Sequence, residues 1–138
     1  MKLKFPSPEW VSRYKEELNA GPWKESGKDW TYGPISFVIK KDEKIGIKED
    51  IYLWLDIDRG VCREAKIVSK EEGEKAPFVI YGDYERWKQI INGELEPIKA
   101  LAQGKLQLKG NLATIVKFVK AAEDMVKTAQ KVPTEFIA

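Results

Sequence analysis

Asp56 and Asp58 stand two residues apart in an alternating run. That spacing puts both carboxylates on one face of a strand, where they could act as an acid–base pair or begin a cation site. Carboxylates at a strand end beside a turn are equally read as solvated, and two alone make a poor site. Cys62 is the single cysteine. A thiol reacts as its thiolate and needs a base or cation beside it, and with Val61 and Val68 for company Cys62 reads as buried and inert. The chain has no histidine, which excludes Ser-His-Asp and Cys-His catalysis, histidine-ligated metal and histidine pH switches. Glu71, Glu72 and Glu74 read as a solvated loop. No Walker or dinucleotide fingerprint is present, and Asn92-Gly93 and Gly110-Asn111 sit where helix ends or turns are expected. The residues point to no catalytic group, no metal and no cofactor. Asp56, Asp58 and Tyr81 are the acid–base candidates under the alternative of an enzyme or accessory subunit acting on a hydrophobic substrate.

What remains is apolar. Phe78, Ile80, Trp87, Leu101, Leu112, Ile115, Val116 and Val119 would converge if the last two helices lie over a sheet. An ordinary packed core has the same pattern, because periodicity does not separate a filled interior from a hollow one. Lys99, Lys105, Lys109, Lys117, Lys120, Lys127 and Lys131 give the last third of the chain a local positive excess. They could attract an anionic lipid surface or an acyl-CoA phosphate at a cavity mouth, or simply solvate the outer face of the final helix.

These residues need elements to hold them. Ser7 and Pro8 are an N-cap and a first-turn proline, with Trp10, Val11, Tyr14 and Leu18 on one face of a helix ending by Gly21-Pro22. Trp23 and Trp30 flank a polar loop from Lys24 to Asp29, where aromatics cover a core edge or line an entrance. Ile35–Ile39 reads as a strand. In residues 50–58, Ile51, Leu53, Leu55 and Ile57 share one face while Tyr52, Trp54, Asp56 and Asp58 share the other. Asp58-Arg59-Gly60 is a hairpin connection, and the return strand, residues 61–69, places Val61, Ala65 and Ile67 on one face. A charged loop, residues 70–75, leads to a strand over 78–82. Asp83 can cap a helix with Tyr84, Trp87, Ile90 and Ile91 as its buried stripe. Pro97–Gly104 is a short helical turn, 105–109 a strand, and 112–130 one long helix. Adjacent strands with short turns and helices gathered on one side predict the α+β class, as a single domain over residues 1–138.

Lys and Arg total 24 against 22 Asp and Glu, so no concentrated positive face invites nucleic acid. One cysteine permits no internal disulfide and fits a reducing compartment. No leader-like stretch, no bilayer-length apolar run and no C-terminal address is evident, so the expected location is cytoplasmic.

The order of motifs carries a resemblance. Gly93-Glu94-Leu95-Glu96-Pro97, Lys99-Ala100-Leu101 and Gly104-Lys105-Leu106-Gln107-Leu108-Lys109-Gly110-Asn111 together resemble the sterol carrier protein type-two family. Asp50-Ile51-Tyr52-Leu53-Trp54-Leu55-Asp56, Cys62-Arg63-Glu64-Ala65 and Lys131-Val132-Pro133-Thr134-Glu135-Phe136 look like its small stand-alone bacterial and archaeal members. The resemblance implies a five-stranded, mainly antiparallel sheet with helices packed on one side and a hydrophobic tunnel between them. It implies non-catalytic binding and transfer of a lipid: a fatty acid, fatty acyl-CoA, phospholipid, isoprenoid or sterol-like molecule. Carried over by position, the tunnel would be lined by Phe78, Ile80, Trp87, Leu101, Leu106, Leu108, Leu112, Ile115, Val116 and Val119. The partner implied is a hydrophobic small molecule, and the lysine excess adds transient contact with an anionic membrane surface. A structural homodimer with a filled core, joined through the aromatic segment from Trp10 to Trp30, is the remaining alternative.

Overall fold

A computed structural model describes residues 1–138. A short strand, β1 (Leu3–Phe5), precedes helix α1 (Pro8–Ala20). The Ser7 hydroxyl accepts the Trp10 N–H at 3.1 Å, and Pro8 needs no amide partner in the first turn, so the helix starts where its caps dictate. Its stripe of Trp10, Val11, Tyr14 and Leu18 is buried. The segment expected as a polar loop between Trp23 and Trp30 begins with a single helical turn, α2 (Trp23–Ser26), and both tryptophans are buried.

The sheet follows. Strands β2 (Ile35–Ile39), β3 (Ile51–Asp58) and β4 (Val61–Val68) are antiparallel neighbours. After the short helix α3 (Lys70–Gly73), β5 (Phe78–Gly82) lies parallel to β2. Helices α4 (Tyr84–Ile91) and α5 (Pro97–Ala102) then lead to β6 (Gln107–Lys109), antiparallel to β5. The order across the sheet is β4-β3-β2-β5-β6, mainly antiparallel as expected. The chain closes with α6 (Leu112–Val116), α7 (Val119–Lys131) and β7 (Thr134–Phe136). β7 pairs in parallel with β1 as a separate two-stranded ribbon, which no local pattern announced.

The β3–β4 turn has positive φ at Arg59 (49°) and Gly60 (79°), as a two-residue hairpin of matching twist requires. A Cβ on Gly60 would collide with the Lys24 carbonyl, so the hairpin tip rests directly on α2.

Three expectations are corrected. In β4, Asp56 pairs with Glu64 but Ile57 pairs with Cys62, so Arg63 is an extra residue in a β-bulge. The bulge reverses the alternation: Cys62, not Val61, joins Ala65 and Ile67 on the inner face, and Val61 is exposed. Second, the long helix over 112–130 is two helices, because Phe118 (φ −112°, ψ 40°) leaves the helical well. No glycine or proline marks the break. Its compensation is tertiary: the Phe118 ring packs edge-on against Trp30 and Tyr32, with centroids 5.0 and 6.0 Å away. Third, Asp83 starts α4 without a side-chain hydrogen bond.

The large core lies between the sheet and α1, α4 and α7. The opposite sheet face carries a small cluster, Val38, Tyr52, Ala76 and Val79, beneath α3. There Ser36 donates to the Gly73 carbonyl at 2.8 Å, and Gly73 is small enough for Tyr52 to lie against it.

Candidate functional site

Between the inner sheet face and the helices is a cavity of about 140 Å³, measured as space open to the centre of a water-sized sphere. Of its 28 lining residues, 26 are hydrophobic. The floor comes from β2, β3 and β5, where Phe37 lies between Leu53 and Ile80 in register. One end wall is Phe5, Trp10, Val11, Tyr14 and Trp23. The roof is α7, whose Ala121, Met125 and Ala129 recur every four residues and so share one helix face.

Four aromatic side chains of the wall have their polar atoms engaged within the protein. Trp10 Nε1 donates to Thr134 Oγ1 at 2.8 Å, and Trp30 Nε1 to the Gly33 carbonyl at 2.8 Å. Trp87 Nε1 donates to the Val38 carbonyl at 2.9 Å and the Gly82 carbonyl at 3.1 Å. The Tyr14 hydroxyl donates to the Met125 carbonyl at 2.9 Å, and burial pushes its pKa far up, so it stays a neutral donor. A buried indole or phenol normally needs a partner, and these four find theirs in the protein. The wall they present is carbon, and such a surface attracts hydrocarbon while holding water poorly.

The wall is not sealed. Phe37 sits mid-sheet yet is only partly buried, and the other part-buried lining residues are Pro97, Ile98 and Leu101 on the α5 side and Phe118, Ala122, Met125 and Val126 on the α7 side. The mouth therefore lies between α5 and α7. Glu96 holds α5 in place, accepting the Ile98 and Lys99 N–H groups at 3.1 and 2.7 Å.

Of the ten residues expected to line a tunnel, Ile80, Trp87, Leu101, Leu106 and Ile115 line this cavity. Phe78 is buried in the adjoining core with its ring tilted against Trp30 (5.2 Å between centroids), and Leu108 packs part-buried on that core. Leu112, Val116 and Val119 do not line it: they are 46%, 45% and 40% exposed. The helix break at Phe118 is the reason, since Ile115 and Phe118 meet the cavity while the residues between and beside them meet water. Sequence reasoning missed the wall supplied by Trp10, Tyr14, Phe37, Leu53 and Leu55, and left Trp23 and Trp30 between a core edge and an entrance. The surplus of aromatics in the first 37 residues was the available signal.

The acid–base candidates lie elsewhere. Asp56 holds Arg63 through two hydrogen bonds, 2.9 and 3.1 Å, on the outer side of the sheet. Asp58 lies 3.9 Å from Arg59. Tyr81 and Tyr52 both donate to the Glu74 carboxylate on the face away from the cavity, and Lys109 Nζ adds a bond at 3.0 Å. Glu74 is thus a buttress between α3 and the sheet, not a solvated loop carboxylate, while Glu71 and Glu72 are exposed as expected. Burial alone would raise its pKa, but the bonds from Tyr52, Tyr81 and Lys109 outweigh that and lower it. Cys62 is buried, its thiol pushed up to about 11 by burial first of all.

The fold and cavity together define an α+β protein with an apolar binding chamber. A family model, the SCP-2 sterol transfer family, matches residues 16–123. The chain belongs to this family. A crystal structure of sterol carrier protein 2 is 34% identical, with a TM-score of 0.83 covering 91% of this chain and 97% of that one. The solution structure of a conserved hypothetical protein from Thermus thermophilus, described as a suspected sterol carrier protein, is 33% identical at the same TM-score, covering 94% and 90%. Dihydroxyacetone kinase of Komagataella pastoris is 28% identical over 127 residues, 86% of this chain. The chain spans about a fifth of the length of that curated relative. No helix of the structure is long and apolar enough to cross a membrane.

Proposed function

We propose that the chain binds a lipid tail-first in the apolar cavity and carries it between hydrophobic environments without altering it. The observation that carries this reading is the carbon wall: 26 of the 28 lining residues are hydrophobic, and the polar atoms of Trp10, Tyr14, Trp30 and Trp87 are spent on hydrogen bonds within the protein. Burying apolar surface yields roughly 25 cal/mol per Å², so hydrocarbon is the ligand such a wall recognises. Ile80, Trp87, Leu101, Leu106 and Ile115, with Trp10, Trp30 and Phe37, are the proposed contacts. At about 140 Å³ the space matches engineered apolar cavities of ~150 Å³ that admit benzene. It takes the end of a tail, and the rest of a long acyl chain, isoprenoid or sterol-like ligand leaves through the mouth between α5 and α7. The chemistry is carriage, since Asp56, Asp58 and Tyr81 have no access to the chamber. A reducing, cytoplasmic setting suits the free, buried Cys62.

The test is native mass spectrometry of the purified protein with lipid extraction, followed by exchange with fatty acid, acyl-CoA, isoprenoid and sterol panels. One class should copurify or exchange in at one molecule per chain. No bound or exchangeable lipid in any panel would refute carriage.

A further inference from the structure

Six large hydrophobic side chains are strongly exposed, and four of them, Tyr32, Leu112, Val116 and Val119, gather at the elbow where α6 hands over to α7. Leu112 and Val116 are four apart on one helix, hence on one face. Tyr32 is tied to the elbow through Phe118, whose ring also touches Trp30 inside the cavity wall. At Tyr32, the Phe118 ring stands between the outer patch and the Trp30 wall of the chamber.

Along the chain from α5 to the first turn of α7 charge has one sign, and the exposed carboxylates of Asp29 and Glu123 lie outside that stretch. From residue 97 to 122 the chain carries Lys99, Lys105, Lys109, Lys117 and Lys120 and not one Asp or Glu. Lys109 is paired with Glu74 and Lys120 with Asp124. Lys99, Lys105 and Lys117 have no carboxylate partner. Lys117 lies between Val116 and Phe118, and Lys99 is next to Ile98 at the opposite lip. Exposed Leu, Val and Tyr side chains with free lysines among them match an interface of acyl chains below and anionic headgroups above.

We infer that this elbow is the docking face for an anionic lipid bilayer, seated so that a lipid passes from the membrane into the chamber past Phe118 without crossing water. The inference rests on reading the chamber as a lipid site and adds where the membrane is met. A second copy of this chain could also cover such a patch, but lysines at both lips would then face lysines, which favours the bilayer.

The test is flotation with vesicles of phosphatidylcholine alone and of equal parts phosphatidylcholine and phosphatidylglycerol. The wild-type chain should float with the anionic vesicles only, and less so as salt rises. Val116→Glu with Val119→Glu should weaken that association at least about tenfold, as should Lys105→Glu with Lys117→Glu. Val61→Glu, an equally exposed site outside the elbow, should float like wild type. In vesicle-free solution the Val116/Val119 variant should keep wild-type affinity for a fluorescent fatty acid. Unchanged flotation of both elbow variants, no preference for anionic vesicles, or a wild-type dimer that the elbow variants split would each overturn the inference. If elbow-dependent flotation stands while no lipid enters in solution, docking holds and the carriage reading fails.

Discussion

Ala121→Leu tests whether the chamber is empty space that the protein maintains at a cost. Ala121 is buried on the cavity face of α7, and leucine forms helix nearly as readily as alanine, so the backbone is not penalised. Three added carbons, each taking about a water-sized ~30 Å³, would fill much of the chamber. At ~0.8 kcal/mol per buried CH₂ they could stabilise the protein by up to ~2.4 kcal/mol. Rotamer strain reduces this to about 1 kcal/mol, a rise of ~3–4 °C in melting temperature for a chain this long. The same carbons occupy room the ligand tail would use. Losing three methylenes of burial weakens binding by ~2.4 kcal/mol, about 50-fold. Urea unfolding gives the first quantity, and titration with a fluorescent fatty acid gives the second. A variant that is destabilised by more than ~1 kcal/mol yet binds as before would show that the site is already filled and that ligand binds elsewhere, refuting the reasoning.

Four other outcomes follow from features outside the chamber. Glu74 has a lowered pKa, so its stabilisation is present above the unfolded carboxyl value and is lost as pH falls through the folded one. Glu74→Gln should therefore cost about 1 kcal/mol in urea unfolding at pH 7, with the gap closing in acid. Tyr81 is pushed up to about 12, by burial and then by the Glu74 hydrogen bond, so its contribution is complete below its ordinary ~10 and disappears as pH rises through 12. Stability measured from pH 9 to 12 should fall across that window, and a flat profile would contradict the buttress. Cys62 should react with a thiol reagent at pH 8 only at the rate of unfolding, because its thiol is buried and its pKa is near 11. The Asn19 amide both donates to the Cys62 carbonyl and accepts its N–H, at 2.9 and 2.8 Å, closing part of the β4 edge. Asn19→Ala should cost ~1–3 kcal/mol and raise the tendency to aggregate, read by urea unfolding and light scattering.

Local rules were enough for the elements whose reason is local. Ser7-Pro8 marked the start of α1, alternation over 51–58 fixed which side of β3 is buried, and Arg59-Gly60 marked the hairpin. The failures share a cause in distant packing. Nothing near Phe118 ends a helix; the rings of Trp30 and Tyr32, more than 80 residues away in sequence, reward the break. Arg63 looks like any strand residue until pairing makes it a bulge. The chamber was half legible: Ile80, Trp87, Leu101, Leu106 and Ile115 could be placed, whereas Trp23 and Trp30 carried no period that assigns them to a wall.

The ribbon of β1 and β7 has a consequence for how the molecule comes together. Leu3 lies opposite Thr134 and Phe5 opposite Phe136, so this clasp joins segments with nearly the whole chain between them. Closing so long a loop is entropically the dearest of the contacts, whereas the β3–β4 hairpin needs only two residues to turn. The clasp therefore forms late, after the sheet exists, and fastening β7 fixes the end of α7 that lies far from the elbow. Because Phe5 also belongs to the chamber's end wall, the clasp ties that wall to the segment that follows the roof helix.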